Sequence, residues 1–542
     1  MDMEVNRVLQ LRYYIEMALW IWTLSILSCF CITLSRNEEL KFFQSATELN
    51  HLTVDNDTGI IYLGMVNALY QLTKNLDEIA HVKTGPSKDN KKCTPPIDEN
   101  QCKEAVLTDN YNKLLLLNKV DKTIVVCGSL FKGICAIRDL ENITKQKYYV
   151  DSSGEKSFVA SNDENVSTVG LITSLNNDRV LFVGKGNGPN DNGIIISTRQ
   201  LYERDGKDIF EMYTDSAAVK SAYHSSSTQQ FVAVFEDKNY VYFIFNQQEK
   251  QPVNNRTLIA RLCKDDAHYY SYFEMDLGCK DDDGAYDHCH SAYVTTPGEE
   301  LAESMAQQRQ TTDALSDDKV LLALFSKVNK DNGSLKSAMC VFSLRHINEK
   351  MEKNRNDCYT KKNTSSFYKL FAAENPCASH GLNASKNFPC GSEHLPYLLG
   401  SKNGVIEKPV LQKEGMNLTA VTVAVENGHT VAFLGTSDGK ILKTLHQPRC
   451  PSLDTHQHLK VFPVVRGPKV NTVFEVRPHQ CRVQGDNHFP SPAGHSISDT
   501  SQDALAFLAT WAHCWLISSW LLTNTPRSFF AGQPSSHCST SL

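Results

Sequence analysis

The 542-residue sequence has no excess of positive charge and lacks the short motifs that mark common enzymes. Lysine and arginine total 55 against 61 aspartate and glutamate residues, which gives a formal net charge of −6. This balance provides no chain-wide field toward DNA, RNA or anionic lipid, so we expect no nucleic-acid partner. An HExxH helix, a GxxxxGK[ST] phosphate loop and an ordered Ser/His/Asp signature are absent from the sequence. We therefore expect no enzyme activity and no cofactor.

Three segments carry chemically capable side chains without a complete motif. Asp287-His-Cys-His290 could offer metal ligands, but sequence neighbours point in different directions and no second cluster has matching spacing. Asp281-Asp-Asp-Gly284 lacks the full calcium-loop pattern, and no helix follows Gly184–Pro189 to bind phosphate. We expect no metal site here, a solvated acidic turn at 281–284 and a long turn between strands at 184–189.

The N-terminal segment has the order of residues found in a signal peptide. The apolar run Ala18–Leu34 follows Arg12 and precedes the polar Arg36. Cleavage after Ser35 would make residues 1–35 the leader, since Thr33 is a small residue two positions upstream. A membrane signal anchor or a buried helix remains the alternative, because 17 residues are close to the lower limit for crossing a bilayer.

Cysteines and glycosylation sequons indicate the same extracellular compartment. The chain has seventeen cysteines, two of them in the leader, and no repeated CxxC pair of the zinc type, so disulfides are the simpler interpretation. Eight N-x-[ST] acceptors are spread along the chain. They are Asn56, Asn142, Asn165, Asn255, Asn332, Asn363, Asn383 and Asn417. We expect a glycoprotein that is secreted or lies at the plasma membrane surface.

Short β-type runs recur from about residue 50 to 445, whereas long amphipathic helical patterns are scarce. Three runs lead through glycine into a similar returning strand, at 62–72, 126–135 and 433–442. Such repetition predicts antiparallel hairpins and favours a β-propeller, with a pair of β-sandwiches as the alternative. The segments 301–317 and 347–355 are predicted to be helical or loop insertions.

One long run and three shorter ones resemble a known family. Arg256–Cys279 closely resembles the central signature of semaphorin, plexin and Met-type sema domains. Tyr62–Leu72, Val126–Cys135 and Phe158–Leu171 look most like a plexin of the B subfamily. The resemblance covers about residues 40 to 445 and implies an all-β fold, a seven-bladed sema-type β-propeller over residues 36–447. It also implies that the last blade is incomplete and that the C-terminus is truncated or alternative.

The same resemblance implies a set of disulfides that spacing alone could not choose. The implied pairs are Cys93 with Cys102, Cys127 with Cys135, Cys263 with Cys390, Cys279 with Cys340, and Cys358 with Cys377. Cys289 has no partner in the family pattern. A free thiol, a bridge to a tail cysteine and an intermolecular bridge all stay open for it.

The function implied by the resemblance is that of a plexin-like semaphorin receptor ectodomain, or a soluble decoy fragment, in semaphorin–plexin guidance signalling such as axon guidance. Class 4 semaphorins are the expected partners, and family analogy places the contacts on the third and fourth blades, within about residues 150–250. Homo-association or pairing with a full-length plexin also stays open. The alternatives are a homotypic adhesion or structural propeller and a hydrolytic propeller.

Residues 448–542 read as a divergent tail in which Pro, His and Ser are abundant. An apolar patch at 504–522 has about the length of a marginal membrane span. A weak span or lipid-facing helix and an unstructured extension both remain open for this tail, so its attachment to a membrane is not decided by the sequence.

Overall fold

Sheets of antiparallel strands form the body of the protein. The computed structural model describes residues 42–445 and 460–463, apart from positions 153, 189, 192, 222–226, 251–252, 310–317, 329–332, 363, 370–376, 378 and 382. The predicted leader at 1–35 and the apolar patch at 504–522 lie outside the described residues. The all-β class expected from the sequence is confirmed.

The first three sheets each contain four strands in sequence order. The first sheet consists of β1 (Leu49–Val54), β2 (Ile61–Met65), β3 (Ala68–Leu72) and β4 (Glu78–Lys83). A two-stranded ribbon follows, with β5 (Ser87–Asp89) and β6 (Val106–Thr108). The second sheet consists of β7 (Asn112–Asn118), β8 (Thr123–Gly128), β9 (Cys135–Asp139) and β10 (Gln146–Tyr148). The third consists of β11 (Thr168–Leu175), β12 (Asp178–Lys185), β13 (Ile194–Gln200) and β14 (Ala218–Lys220).

The fourth sheet is the largest because later strands join its outer edge. Its own strands are β15 (Ser227–Asp237), β16 (Tyr240–Lys250), β17 (Val253–Cys263), β18 (Phe273–Asp281) and the short β19 (Gly284–Tyr286). The two strands that join it later are β23 (Phe367–Lys369) and β24 (Leu399–Glu407). The fifth sheet consists of β20 (His288–Thr295), β21 (Val320–Val328), β22 (Leu335–Ser343) and β25 (Leu411–Glu414). The sixth consists of β26 (Leu418–Glu426), β27 (His429–Thr436), β28 (Lys440–Leu445) and β29 (Lys460–Pro463).

Helices interrupt the strand repeat in the fifth sheet. Helix α1 (Glu299–Arg309) lies between β20 and β21, and α2 (Leu344–Tyr359) and the one-turn α3 (Ala384–Asn387) lie between β22 and β24. Short 3-10 turns occur at 154–157 and 364–366. Helix α2 begins at Ser343, whose hydroxyl accepts a hydrogen bond from the backbone N–H of His346. Both helical insertions expected from the sequence are present, and α2 is longer than the predicted 347–355.

The insertion after α2 extends the fourth sheet. Strand β24 pairs in parallel with β18, and β23 then pairs antiparallel with β24. The Cβ of an alanine at Gly404 would lie 1.8 Å from the backbone oxygen of Asp276, so glycine is what permits this close approach of the two strands. The insertion is therefore held directly against the fourth sheet.

The three glycine-linked repeats are antiparallel hairpins, as their sequences predict. Strand β2 pairs with β3, β8 with β9, and β27 with β28. The innermost strands of successive sheets pack on one another in series, from β1 through β7, β11, β15 and β20 to β26. Six four-stranded units packed in this way are the arrangement of propeller blades, which favours the propeller over two sandwiches.

The predicted number of blades was seven, and six are described. A seventh blade would need residues outside those described, so it stays a prediction. Strand β29 pairs antiparallel with β28 and completes the sixth sheet. Because β29 lies within the segment 448–542 assigned to a divergent tail, the sheet extends beyond the predicted end of the propeller at residue 447.

Candidate protein-binding face

Four connections of the third and fourth sheets lie at the same ends of their strands. They join β11 to β12 at 175–178, β13 to β14 at 201–217, β15 to β16 at 237–239 and β17 to β18 at 264–272. Within an antiparallel sheet, alternate connections fall on the same side. We call the surface made by these four connections the loop face. Three of the four connections lie within about residues 150–250, the stretch that the family resemblance implied for partner contacts, and the fourth lies beyond it at 264–272.

Side-chain and backbone contacts bind the four connections to one another. Asp265 accepts a hydrogen bond from the backbone N–H of Asn176 at 2.9 Å. Thr214 donates to the backbone oxygen of Ala267 at 2.6 Å, and the backbone N–H of Lys264 donates to the backbone oxygen of Asn239 at 2.8 Å. The loops of two adjacent sheets therefore form one connected surface.

A buried arginine anchors the longest of these connections from below. Arg199 is fully buried, and its guanidinium donates to the backbone oxygens of Lys156, Phe158 and Phe210 at 2.6–3.2 Å. Burial lowers the pKa of Arg199 to about 10, which leaves it charged at neutral pH. The guanidinium thereby joins the 201–217 connection, at Phe210, to the segment that contains Lys156 and Phe158.

An exposed charged and aromatic network covers the third sheet's part of the loop face. Arg204 forms an ion pair with Asp178 and lies 5.5 Å from the ring centre of Tyr213. The Tyr213 hydroxyl donates to Asp178 at 2.8 Å. Partial burial opposes the change, but hydrogen bonds from Tyr202 and Tyr213 and the charge of Arg204 lower the pKa of Asp178 below its ordinary value. Asp178 is therefore ionised at neutral pH and holds Arg204 in place.

Aromatic side chains are exposed beside this network. The His268 and Tyr270 rings stack with centres 5.3 Å apart, and the Tyr397 ring meets Tyr270 edge to face at 5.2 Å. Phe388 and His394 form a second edge-to-face pair at 4.8 Å. Tyr397 is 43% exposed and Phe388 37% exposed. We call these five rings the aromatic patch.

One disulfide holds the two halves of the aromatic patch together. The structure pairs Cys263 with Cys390, and so ties the loop that carries Tyr270 to the segment that carries Tyr397. An alanine Cβ at Gly391 would lie 2.3 Å from the backbone oxygen of Tyr270, so the two segments touch at glycine. Cys279–Cys340 joins the fourth and fifth sheets, and Cys358–Cys377 lies within the insertion.

The remaining pairs are local, and one cysteine among the described residues is unpaired. Cys93 bonds to Cys102 beside the β5–β6 ribbon, and Cys127 bonds to Cys135 across the β8–β9 hairpin. All five pairs are those that the family resemblance implies. Cys289 is a free thiol that is 1% exposed, and burial raises its pKa to about 12. Of the three states left open for Cys289, the structure contains the free one.

Six of the eight predicted glycosylation acceptors are described, and they lie outside the loop face. Asn56, Asn165 and Asn383 are exposed, whereas Asn142, Asn255 and Asn417 are partly buried. Asn332 and Asn363 lie outside the described residues. None of the four connections that define the loop face contains a sequon.

The segments considered for metal or phosphate are built differently from a ligand site. Asp281 pairs with Lys327 at 2.5 Å, and Asp282 and Asp283 are exposed, as a solvated acidic turn requires. The Asp265–Asp266 pair lies at the opposite end of β18 from this turn. No group of three His, Cys, Asp or Glu side chains able to hold a metal occurs among the described residues.

The histidines next to Cys289 point away from it along β20. His290 shares a hydrogen bond with the Ser326 hydroxyl at 2.7 Å, and burial lowers its pKa to about 4. Cys289 is packed in the core. The segment Asp287–His290 therefore splits its side chains between two faces, as neighbours on a strand must. The predicted long turn is shorter than 184–189, since Gly184 and Lys185 belong to β12.

Sequence reasoning missed the aromatic patch and a cavity of about 540 Å³ beside the 237–239 turn. Tyr270 and Tyr397 are far apart in the chain, so no local pattern could join them. One signal for the cavity was present. Arg261, which lines it, is a charged residue within the apolar strand run Leu258-Ile-Ala-Arg-Leu-Cys263.

The chain is similar to plexins over most of its length. A family model described as the Sema domain matches residues 290–486. Mouse plexin-B2 is 54% identical over 442 residues, which cover 80% of this chain and 23% of plexin-B2. Human plexin-B1 is 32% identical over 431 residues, covering 76% of this chain and 19% of plexin-B1. This chain thus spans about a fifth of the length of these relatives.

Solved structures that resemble this fold include a plexin and a semaphorin. The extracellular region of plexin A4 matches with a TM-score of 0.67 and 29% identity, over 78% of this chain and 43% of that one. Drosophila semaphorin 2a matches with a TM-score of 0.53 and 17% identity, over 81% of this chain and 72% of that one, which shows likeness of fold alone.

The packed sheets and these matches define the described body of the chain as a sema domain, a β-propeller. It is a plexin sema domain, and its relatives include the B-subfamily plexins B1 and B2. The family recognised from the sequence is confirmed. Within the described residues, no helix combines the length and the apolar character that crossing a bilayer requires.

Proposed function

We propose that this chain is the semaphorin-binding portion of a plexin-type receptor, and that the loop face contacts the semaphorin. The observation that carries the proposal is the aromatic patch, whose two segments, the 264–272 connection and residues 388–397, are joined by the Cys263–Cys390 disulfide. Its partners would be class 4 semaphorins, as the likeness to B-subfamily plexins suggests. The chain would act outside the cell, as a secreted decoy or as part of a surface receptor.

Exposed aromatic side chains on a rigid support favour protein recognition. Tyrosine and phenylalanine bury a large area at little cost in side-chain entropy, and they are enriched among residues that dominate binding energy. Tyr270 and Tyr397 are held by the Cys263–Cys390 bridge, so little ordering is needed when a partner docks. A complex of this kind should bury about 1,200–2,000 Å² in total and needs no cofactor.

The sequons are arranged in a way that supports the same surface. Glycans at Asn56 and Asn142 would cover connections of the first and second sheets, whereas the four connections of the loop face carry no acceptor. Asn383 lies five residues before Phe388, so a glycan there would border the aromatic patch. A partner could therefore approach the third and fourth sheets without displacing sugar.

The first test measures binding of the secreted, monodisperse chain to a panel of class 4 semaphorin ectodomains. We expect saturable binding to one or two members, and a loss of about tenfold or more in Tyr397→Ala and Tyr270→Ala. The matched control is Tyr149→Ala, since Tyr149 is 37% exposed and lies at the end of the second sheet. Equal losses in all three variants would contradict the assignment of the loop face.

A glycan wedge gives a second test of the surface. Asp205→Asn with Lys207→Thr creates a sequon in the 201–217 connection, where Asp205 is 80% exposed. Asp121→Asn creates one in the β7–β8 connection of the second sheet. Both additions are checked by a shift in mass. We expect the first glycan to abolish semaphorin binding and the second to leave it unchanged.

Self-association is the outcome that would favour the adhesion hypothesis. A chain that elutes as a stable dimer and binds no semaphorin would overturn the proposal. A dimer linked through Cys289 would require the fifth sheet to open, because this thiol is buried.

A further inference from the structure

The cavity at the edge of the loop face has walls from three elements. It has a volume of about 540 Å³. Asp237 and Lys238 of the β15–β16 turn form one wall, Arg261 of β17 a second, and Asn348 and Glu352 of helix α2 a third. Because the fourth sheet, helix α2 and the segment Asp318–Lys319 before β21 meet here, the cavity depends on their packing and not on one loop.

Arg261 is a buried cation in this cavity. It is 2% exposed, and its guanidinium carbon lies 4.1 Å from the ring centre of Tyr240. Its terminal nitrogens donate to Asn348 at 2.8 Å and to Glu352. The Nε of Arg261 is buried and has no acceptor among the described residues. A buried donor without an acceptor is costly, and a ligand that supplies one would remove that cost.

Two buried guanidinium groups share a single carboxylate. Glu352 also accepts from Arg355 at 2.7 Å, and the Arg355 side chain is only 3% exposed. The Nε of Arg355 is likewise without an acceptor among the described residues. One negative charge, on a Glu352 side chain that is 39% exposed, therefore pairs with two buried positive ones, which leaves the two guanidinium groups short of a counter-charge.

The other acidic groups of the cavity are nearly all engaged. Asp237 pairs with Lys319 at 3.1 Å, and Asp318 pairs with Arg345. The charged residues that line the cavity are four cations, Lys238, Arg261, Lys319 and Arg345, and four anions, Asp237, Asp318, Glu349 and Glu352. Arg355 lies outside this lining and adds a fifth cation through its pair with Glu352. The N-terminal turn of α2, which starts at Leu344 in the lining, adds partial positive charge.

Lys238 supplies an accessible cation on the cavity wall. It is exposed, has a backbone φ of 52° and has no carboxylate partner within the part of the chain that the structure describes. A non-glycine residue in this conformation is uncommon, and here it fixes the side chain at the tip of a tight hairpin. Glu349, on the exposed side of α2, is the one lining anion without an ion pair among the described residues.

We propose that this cavity receives the carboxylate side chain of an acidic residue on a protein partner, between Lys238 and Arg261. The carboxylate would accept hydrogen bonds from both cations and supply the missing counter-charge. The identity of the partner rests on the proposed function, since the cavity borders the loop face. The preference for a carboxylate rests only on the cavity.

The first experiment tests the cavity without a semaphorin. The probe is N-acetyl-glutamate N-methylamide, with the glutamine analogue as its neutral counterpart, and saturation-transfer NMR on the secreted chain detects binding. We expect transfer to the glutamate probe alone, reduced about tenfold in affinity by Lys238→Asn. Asparagine tolerates the φ of 52° and removes the charge. Equal transfer to both probes would overturn the proposal.

A matched control separates this effect from general surface charge. Lys122 is an exposed lysine with a φ of 50° in the β7–β8 turn, so Lys122→Asn changes the same side chain in the same backbone conformation. We expect Lys122→Asn to leave binding unchanged and Glu349→Gln to tighten it about threefold by removing the opposing charge. A loss of probe affinity in both lysine variants, or no gain of affinity in Glu349→Gln, would contradict the assignment of the carboxylate site to this cavity.

The second experiment asks whether the carboxylate comes from the partner. A semaphorin ectodomain that binds the chain should lose about tenfold in affinity with Lys238→Asn and none with Lys122→Asn. Unchanged binding with Lys238→Asn would overturn the partner assignment and leave a site for free carboxylates. If no semaphorin binds any variant, the proposed function fails, and the glutamate probe still decides whether the cavity selects a carboxylate.

Discussion

The first and fourth sheets share one four-stranded plan and differ in how deeply they are buried. Strands β1 to β4 have five or six residues, and no residue of β1 is fully buried. Strands β15 to β17 have eleven residues each, and Val241–Phe245 are all buried. The fourth sheet also receives β23 and β24 on its outer edge. A deeply packed sheet can carry exposed aromatic rings and a charged cavity without losing its shape.

The largest difference in the free energy of unfolding should come from the loss of disulfides. Replacing Cys263 and Cys390 by alanine opens a bridge with a sequence separation of 127, which should lower the free energy of unfolding by about 5 kcal/mol. The same change at Cys93 and Cys102, with a separation of 9, should cost about 2–3 kcal/mol. Urea denaturation of both secreted variants measures this contrast. Equal losses would mean that residual order in the unfolded chain removes the loop-length effect.

Core truncation is the second contrast. Phe243 is fully buried in the fourth sheet, so Phe243→Ala should destabilise the protein by about 3–5 kcal/mol. Leu52 in β1 is only partly buried, and Leu52→Ala should cost about 1 kcal/mol. Denaturation midpoints at a constant m-value report the two losses. Similar values would show that the first sheet is packed more tightly than its exposure indicates.

Close backbone approach gives a third, smaller contrast. Gly404→Ala would place a Cβ 1.8 Å from the Asp276 backbone oxygen, and moving β24 away from β18 should cost about 2–3 kcal/mol. Gly59→Ala in the β1–β2 turn meets only the Lys74 side chain at 3.3 Å, so its cost of about 1 kcal/mol comes from the positive φ. The midpoints of thermal unfolding show which of the two variants loses more stability. A larger loss at Gly59 would contradict the close strand contact.

The smallest effect concerns acid sensitivity at the first sheet. His51 donates through Nδ1 to the Asn112 backbone oxygen at 3.0 Å, and burial lowers its pKa from 6.5 to about 4. Between these two values the unfolded chain binds a proton that the folded chain does not. This contribution is complete above pH 6.5, and about 1–2 kcal/mol of stability should be lost between pH 7 and pH 5. His51→Gln should flatten that part of the profile, and parallel profiles would refute the assignment.

Local sequence predicted the hairpins well because each is specified by neighbouring residues. Tyr62–Leu72 contains almost all of β2 and β3 with the turn between them, and Val126–Cys135 contains the end of β8, the turn and the start of β9, so their pairing needs no distant information. Helix α2 was predicted too short because its first turn, from Leu344, follows directly on strand β22, which ends at Ser343. Its start depends on the capping hydroxyl of Ser343, which a strand pattern does not reveal.

The candidate site was predictable only as a region. Family resemblance implied the third and fourth blades, and the loop face lies there. The side chains that compose it could not be named, because Tyr270 meets Tyr397 and Arg261 meets Glu352 across long stretches of chain. Such contacts depend on how β24 and α2 return to the fourth sheet. Periodicity describes one strand at a time and carries no information on that return.

The sequence by itself determined the β-rich repeat, the family and the residue types that are available for recognition. Those properties follow from strand periodicity, turn glycines and motifs that are continuous in the chain. The tertiary structure alone decided that Cys289 is buried, that five rings from two segments form one patch, and that two guanidinium groups share Glu352. Burial and charge balance are set by neighbours in space, and only folding brings those neighbours together.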